Sequence, residues 1–161
     1  MGIAKMYLET SLFWFYYETG GAAHLQKLSE QVRQVFALIR AHKLEPYISP
    51  YITRELAHLG DEEKREKLWQ IIGEYGIHIL ETNLETEKLA ALYIAEEALP
   101  PAAFFDAAHI AITAVHRLDF MVSLNFTHIV RPLTIERVRR VNARQGLAGI
   151  GIYKPAEVVK L

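Results

Sequence analysis

Two stretches decide how this chain is read. The first is Phe105-Asp106-Ala107-Ala108-His109-Ile110-Ala111, the second Phe120-Met121-Val122-Ser123-Leu124-Asn125-Phe126. The first has the small and apolar spacing of a helix that opens with a carboxylate. The second is a short apolar run of the kind a buried parallel strand uses, ending in a hydroxyl and an amide.

Working outward, the same alternation recurs. Residues 3–8 form a short, mainly apolar strand that ends at Glu9. Thr10 and Ser11 offer hydroxyls to cap a helix through Phe13–Glu18, which Gly20-Gly21 breaks. From Ala22 to His42, apolar residues at three- and four-residue steps predict a long amphipathic helix. Tyr47-Ile48-Ser49, between Pro46 and Pro50, reads as a second strand. A short helix over 51–58 carries Glu55 beside the apolar stripe Ile52, Leu56 and Leu59. Asp61 caps a further helix, closed by Gly73 and Gly76. Ile77–Leu80 is a third strand, and Asn83 starts a helix to about Leu99. Helix 105–117, strand 120–124, a basic helix over 135–145 and a last strand at 150–153 complete the chain. Strands alternating with helices predict a three-layer α/β/α domain with a mostly parallel central sheet. Neither a repeat nor a composition break divides residues 1–161, so one domain is expected.

Composition narrows the function. With 18 Lys and Arg against 19 Asp and Glu, the net charge is −1, so any attraction to nucleic acid must be local. The absence of cysteine excludes a disulfide framework, thiolate metal sites and thiol nucleophiles. No apolar run approaches the roughly 18 residues of a membrane span, and the first residues lack the apolar core of a secretory signal. A soluble, cytoplasmic protein is the expectation.

In an open α/β sheet, functional groups gather beyond the carboxyl ends of the strands. Glu9 follows strand one, Asn125 follows strand four, and Asp106 opens the helix leading into strand four. These converge if strands one and four are neighbours, and Glu55 joins them if its helix crosses the same edge. Side-chain oxygens of this kind suit Mg2+ or Mn2+, which can activate water and neutralise charge developing on a phosphodiester. Each position also has a plainer reading. Asp106 can cap its helix, Glu55 can be solvated, Asn125 can be a turn residue, and His109 and His128 can make structural hydrogen bonds. A flavodoxin-like nucleotide domain shares the alternation, but no glycine-rich phosphate loop follows strand one.

These residues resemble the PIN-domain nucleases through nearly the whole chain. The family places an acid after strand one, a Glu in the helix after strand two, an Asp opening a later helix and an acid after strand four. The matching positions are Glu9, Glu55, Asp106 and Asn125, and Asp106-Ala-Ala-His109-Ile-Ala resembles the Asp-Ala-x-His-Ile-Ala signature. Glu9 and Asn125 depart from the usual Asp. They match a branch whose motifs read approximately Glu-Thr-Thr and Thr/Ser-Trp-Asn-x-x-His-Ile, as do Tyr7–Ser11, Ser123–Ile129 and the 135–142 and 154–157 segments.

The resemblance implies a divalent-metal-dependent ribonuclease of the toxin kind, often dimeric and held by an antitoxin protein. Glu9, Glu55, Asp106 and Asn125 would be catalytic, with the metal on Glu9, Asp106 and Asn125. Thr10, His109, Ser123 and His128 would support them. A second reading, motivated by the neutral Asn125, is a binding module for RNA or protein with weakened hydrolysis.

Charge is uneven. Residues 131–154 carry six cations against Glu136, a balance of +5, whereas residues 81–99 stand at −4. Arg137, Arg140 and Arg144 share a helix face and are the candidate RNA-phosphate contacts. The run Phe13-Trp14-Phe15-Tyr16-Tyr17 cannot face one core, and packing in a homodimer is its preferred reading.

Overall fold

The computed structural model describes residues 2–17 and 20–161, apart from the side chains of Leu56 and Leu59. Glu18, read as the end of the first helix, and the stripe positions Leu56 and Leu59 therefore lie outside the description.

Five parallel strands form the middle layer: β1 (Ala4–Leu8), β2 (Leu44–Ile48), β3 (His78–Ile79), β4 (Phe120–Val122) and β5 (Gly151–Tyr153), in the order β3-β2-β1-β4-β5. Strand β1 thus lies between β2 and β4, with Leu8 level with Val122. That neighbour relation brings the end of β1 beside the end of β4, as the candidate site requires.

The pleat divides the apolar residues between two faces. Tyr7 and Met121 face the layer of α5 (Leu84–Ala95), α6 (Phe104–Val115) and α7 (Pro132–Arg144). Met6, Leu8, Phe120 and Val122 face the layer of α1 (Ser11–Tyr17), α2 (Ala23–Arg40), α4 (Glu62–Tyr75) and α8 (Pro155–Val159). The remaining helix, α3 (Pro50–Leu59), serves both cores, giving Tyr51 to the first and Ile52 to the second. Helix α6 is buried without a break from Ala107 to Ala114, as a helix apolar all round must be. Its alanines let it lie close to α5 and the sheet.

Several boundaries depart from the expected ones for identifiable reasons. Strand β2 begins at Leu44 and runs through Pro46, which pairs with Met6. Strand β3 pairs only with Tyr47 and Ile48, so Pro46 has an open edge on that side and its missing N–H leaves no β3 bond unmade. Helix α4 runs past Gly73 and ends at Gly76, whose φ of 62° supplies the left-handed cap. Helix α5 stops at Ala95, and a single 3₁₀ turn (Pro101–Ala103) leads into α6. Helix α7 starts at Pro132, three residues before the apolar periodicity does, and α8 follows Pro155 where the sequence suggested an end. Proline at the first helical position lacks only an N–H that would be unpaired anyway.

The aromatic run on α1 packs within the chain. Phe13 is buried edge-on to Phe36, Tyr16 bonds to Tyr75 through the hydroxyls at 2.8 Å, and Tyr17 reaches the carbonyl of Lys67. Among the described residues no helix is long and apolar enough to cross a membrane.

Ala111 has no exposed surface and belongs to the core between the sheet and the layer of α5, α6 and α7. Ala111→Leu is expected to destabilise the protein by about 1–3 kcal/mol through overpacking. Urea unfolding would read this, and an unchanged midpoint would contradict the packing described.

Candidate functional site

The site grows from the last residues of β1. Glu9 is 4% exposed, which for a carboxylate demands full hydrogen bonding. Its Oε1 accepts from the Ser11 hydroxyl at 2.7 Å and the Ser123 hydroxyl at 2.5 Å, and its Oε2 accepts from the Ser11 backbone N–H at 3.0 Å. Ser11 Oγ also accepts from the Leu124 N–H at 2.9 Å, and Ser123 Oγ accepts from the Asn125 N–H at 2.9 Å. Glu9 thus ties the start of α1 to the loop after β4.

This corrects the capping expectation. The hydroxyls of Thr10 and Ser11 turn away from the helix, and the carboxylate of Glu9 takes the N–H of Ser11 instead. Thr10 is buried with its hydroxyl 3.4 Å from His109 Nε2.

His109 is wholly buried on α6, and both ring nitrogens are engaged. Nε2 meets Glu55 Oε1 from α3, and Nδ1 meets the Tyr7 hydroxyl at 2.5 Å. The Tyr7 hydroxyl in turn meets Ser49 Oγ at 2.7 Å. A neutral ring donates to Glu55 and accepts from Tyr7. A charged ring donates to both, and Tyr7 then donates onward to Ser49. Either state leaves no buried atom of the ring unpaired.

Burial alone would push the pKa of His109 down. The hydrogen bond to Glu55 and the charges of Glu55, Glu9 and Asp106 outweigh it, and the value stands above the ordinary 6.5. Three carboxylates therefore act on one imidazole. Burial raises the Tyr7 phenol well above its ordinary 10.0, so it stays protonated.

Asp106 lies in the first turn of α6, where the helix dipole favours a negative charge. The cap of α6 is Ala103, with no side-chain hydrogen bond, so Asp106 is not a capping residue. Its Oδ2 meets His128 Nδ1 at 3.0 Å, and the His128 backbone N–H donates to Asn125 Oδ1 at 3.0 Å. Asn125 therefore does hold a turn, as one reading had it, and that turn delivers His128 to Asp106. Asp119, just before β4, is a turn residue whose Oδ2 accepts from the Lys5 N–H at 2.7 Å.

The four sequence-predicted positions are consequently drawn to one edge of the sheet. Glu9 and Asn125 are joined through Ser123, Asp106 and Asn125 through His128, and Glu55 is joined to the helix of Asp106 through His109. Tyr7, Ser11 and Ser49 belong to the same network and were missed. A phenol in a mainly apolar strand and a serine directly before Pro50 were the available signals.

The arginine face is arranged differently. Arg137 donates to the Glu97 carbonyl at 2.7 Å, Arg140 pairs with Glu136 at 2.8 Å and Arg144 pairs with Glu96 at 3.3 Å. Each holds to the end of α5 or to its own helix.

The donors are all oxygen, which suits a hard cation. Among the described residues no group of three or more His, Cys, Asp or Glu side chains is placed to hold a metal ion. Mg2+ does not need one, since it uses one or two carboxylates and keeps water or substrate phosphate for the rest. Asp106 and Glu55 are the two carboxylates of the network with an oxygen to spare. Their side chains are 23% and 29% exposed, and each commits one oxygen to a histidine, leaving the other without a partner among the described residues. Glu9 is more enclosed, and the oxygen of Asn125 already accepts one hydrogen bond.

An all-parallel three-layer α/β/α fold with acids at the carboxyl edge of its central strands is the class these observations define. No family model matches the chain, and no curated protein matches it.

The raised pKa of His109 has a sign that can be checked. Above pH 6.5 the folded protein keeps a proton that the unfolded chain releases. That part of the stability is complete below this pH and is lost as pH rises through the raised value. Urea unfolding in chelator from about pH 5.5 to 9 is expected to show stability falling with pH, with a shallower fall in Glu55→Gln. Parallel profiles for the two proteins would refute the role given to Glu55.

Proposed function

We propose that this chain is a divalent-metal-dependent nuclease that hydrolyses phosphodiester bonds, with RNA as its substrate, acting as the toxin partner of an antitoxin protein. The observation that carries the reading is the gathering of Glu9, Glu55, Asp106 and Asn125 at one sheet edge through His109, Ser123 and His128. The PIN resemblance, in the branch with Glu and Asn at the first and fourth positions, supports the substrate and the toxin role. A cytoplasmic location and a homodimer belong to the same reading.

Asp106 and Glu55 would hold Mg2+ or Mn2+ through their unclaimed oxygens, with Glu9 and Asn125 completing the site directly or through water. The bound ion would supply charge neutralisation on the phosphate and a more acidic water. The residues of the chain do the rest. His128 orients the Asp106 carboxylate, and His109 fixes Glu55, which would orient the nucleophilic water. Ser11 and Ser123 hold the Glu9 carboxylate in place by donating to it. Thr10 sets its hydroxyl beside His109 Nε2 at 3.4 Å.

A second reading has one observation in its favour. Three hydrogen bonds already occupy Glu9, and Asn125 brings no charge, which suits a PIN-fold module that binds RNA or protein and cuts poorly.

The test is cleavage of mixed single-stranded and hairpin RNAs with Mn2+, Mg2+ or chelator. Asp106→Asn is expected to lower cutting at least about a hundredfold, a loss of the size that follows removal of a charged stabilising group, while circular dichroism and the unfolding midpoint stay near wild type. Full activity in this variant would remove Asp106 from the site. Metal-independent RNA binding without cutting would favour the second reading.

A further inference from the structure

Three large apolar side chains stand out in solvent directly beside the site residues. Phe104 and Phe105 precede Asp106 and are 38% and 42% exposed, and Phe126 follows Asn125 and is 45% exposed. The catalytic assignment makes no use of them. Isolated exposed apolar residues are ordinary, but three phenylalanines adjoining two positions of one site are not scattered.

Their mounting is rigid. Phe105 sits in the first turn of α6, a helix buried from Ala107 to Ala114, and its ring meets Tyr51 at 6.4 Å and Phe104 at 6.5 Å between centroids. Phe126 rides on a turn closed by two bonds to the Asn125 carbonyl, from the N–H groups of Ile129 and Val130 at 3.1 and 2.9 Å, and Ile129 anchors that turn in the core. The contact between Asp106 and His128 ties that turn to α6. Side chains held this way lose little freedom on binding.

Next to them lies a cation. Arg54, exposed on α3, rests 5.7 Å from the centre of the Tyr51 ring and makes no ion pair among the described residues. Aromatic and polar groups therefore stand side by side here: Phe105 with Asp106 on α6, Phe126 with Asn125 on the turn that His128 joins to Asp106, and Arg54 against Tyr51, which meets Phe105. The centre of a protein interface is depleted of charge, so this mixture is poorly suited to one. It suits an unpaired nucleic-acid strand, whose bases present faces for stacking between phosphates. In a duplex those faces are hidden against neighbouring bases.

We propose that Phe105 and Phe126, with Phe104 beside them, stack the unpaired bases flanking the phosphodiester at the site, selecting single-stranded RNA over duplex, and that Arg54 takes an adjacent phosphate. This rests on the nuclease reading above.

The experiment measures binding in chelator by fluorescence anisotropy, with cutting in Mn2+ followed in parallel. The probes are a labelled mixed-sequence RNA 12-mer, the same backbone with its central bases removed, and a hairpin of matched length. The wild type is expected to bind the base-bearing strand about tenfold more tightly than either of the other two. Phe105→Leu and Phe126→Leu keep an apolar side chain and remove the aromatic face. Each is expected to weaken the base-bearing strand about fivefold or more and to leave the abasic strand unchanged, with Phe126→Trp restoring affinity.

Equal binding of abasic and base-bearing strands, or leucine variants that bind like wild type, would overturn the stacking role even if Mn2+-dependent cutting persists. Base-dependent binding with no cutting in any metal would uphold stacking and remove the hydrolytic reading alone. If sedimentation shows a dimer that the leucine variants dissociate with RNA affinity unchanged, this surface is a self-interface and the proposal fails.

Discussion

His109 sits where no water reaches it, and an imidazole in that position must find partners for both nitrogens inside the protein. It finds Glu55 on α3 and Tyr7 on β1, and Tyr7 finds Ser49 at the end of β2. Two strands and two helices are thereby held in one relation to each other. Slippage of α6 by a turn would strip the buried imidazole of its partners, each unmet group costing on the order of 1–3 kcal/mol, and would leave Tyr7 and Ser49 bonded only to each other and to the start of α3. The apolar face of α6 rich in alanine tolerates several ways of packing, and this polar chain selects one of them.

Glu9 plays the matching part on the other side of β1. A carboxylate that is almost fully buried would be costly without compensation, and two serines and a backbone N–H supply it. The serines come from α1 and from the loop after β4, so the charge itself joins the segments that flank the site. The consequence for function is that the Glu9 side chain has little freedom to move, while Asp106 and Glu55 keep the exposed oxygens. Burial and availability are divided between the acids, and this division separates residues that build the site from residues placed to meet a ligand.

Much of this could be read from the sequence where neighbours along the chain decide the outcome. The apolar runs of β1 and β4, the long periodic helix α2 and the caps at Asp61 and Asn83 are local features, and they lie where the residues suggested. The acids at strand ends and helix starts were visible for the same reason. What escaped depends on contacts across the chain. Pro46 is accepted in β2 only because β3 is too short to pair with it, and no residue near Pro46 says so. Pro132 and Pro155 open helices, although a proline read alone is equally a stop. The direction in which Ser11 turns its hydroxyl depends on Glu9 and Leu124 together, and the pairing of the α7 arginines with Glu96 and the Glu97 carbonyl depends on how α5 docks.

The central claim is that the acids around His109 form a cation site in which Asp106 supplies an exposed oxygen. Water-proton relaxation with Mn2+ measures it most directly, because it needs neither a known RNA target nor turnover. Wild type is expected to bind one Mn2+, with affinity at least about tenfold weaker in Asp106→Asn, the loss of a charged ligand being worth more than 1.4 kcal/mol. Mn2+ binding of equal strength in the two proteins, or none in the wild type, would contradict the account.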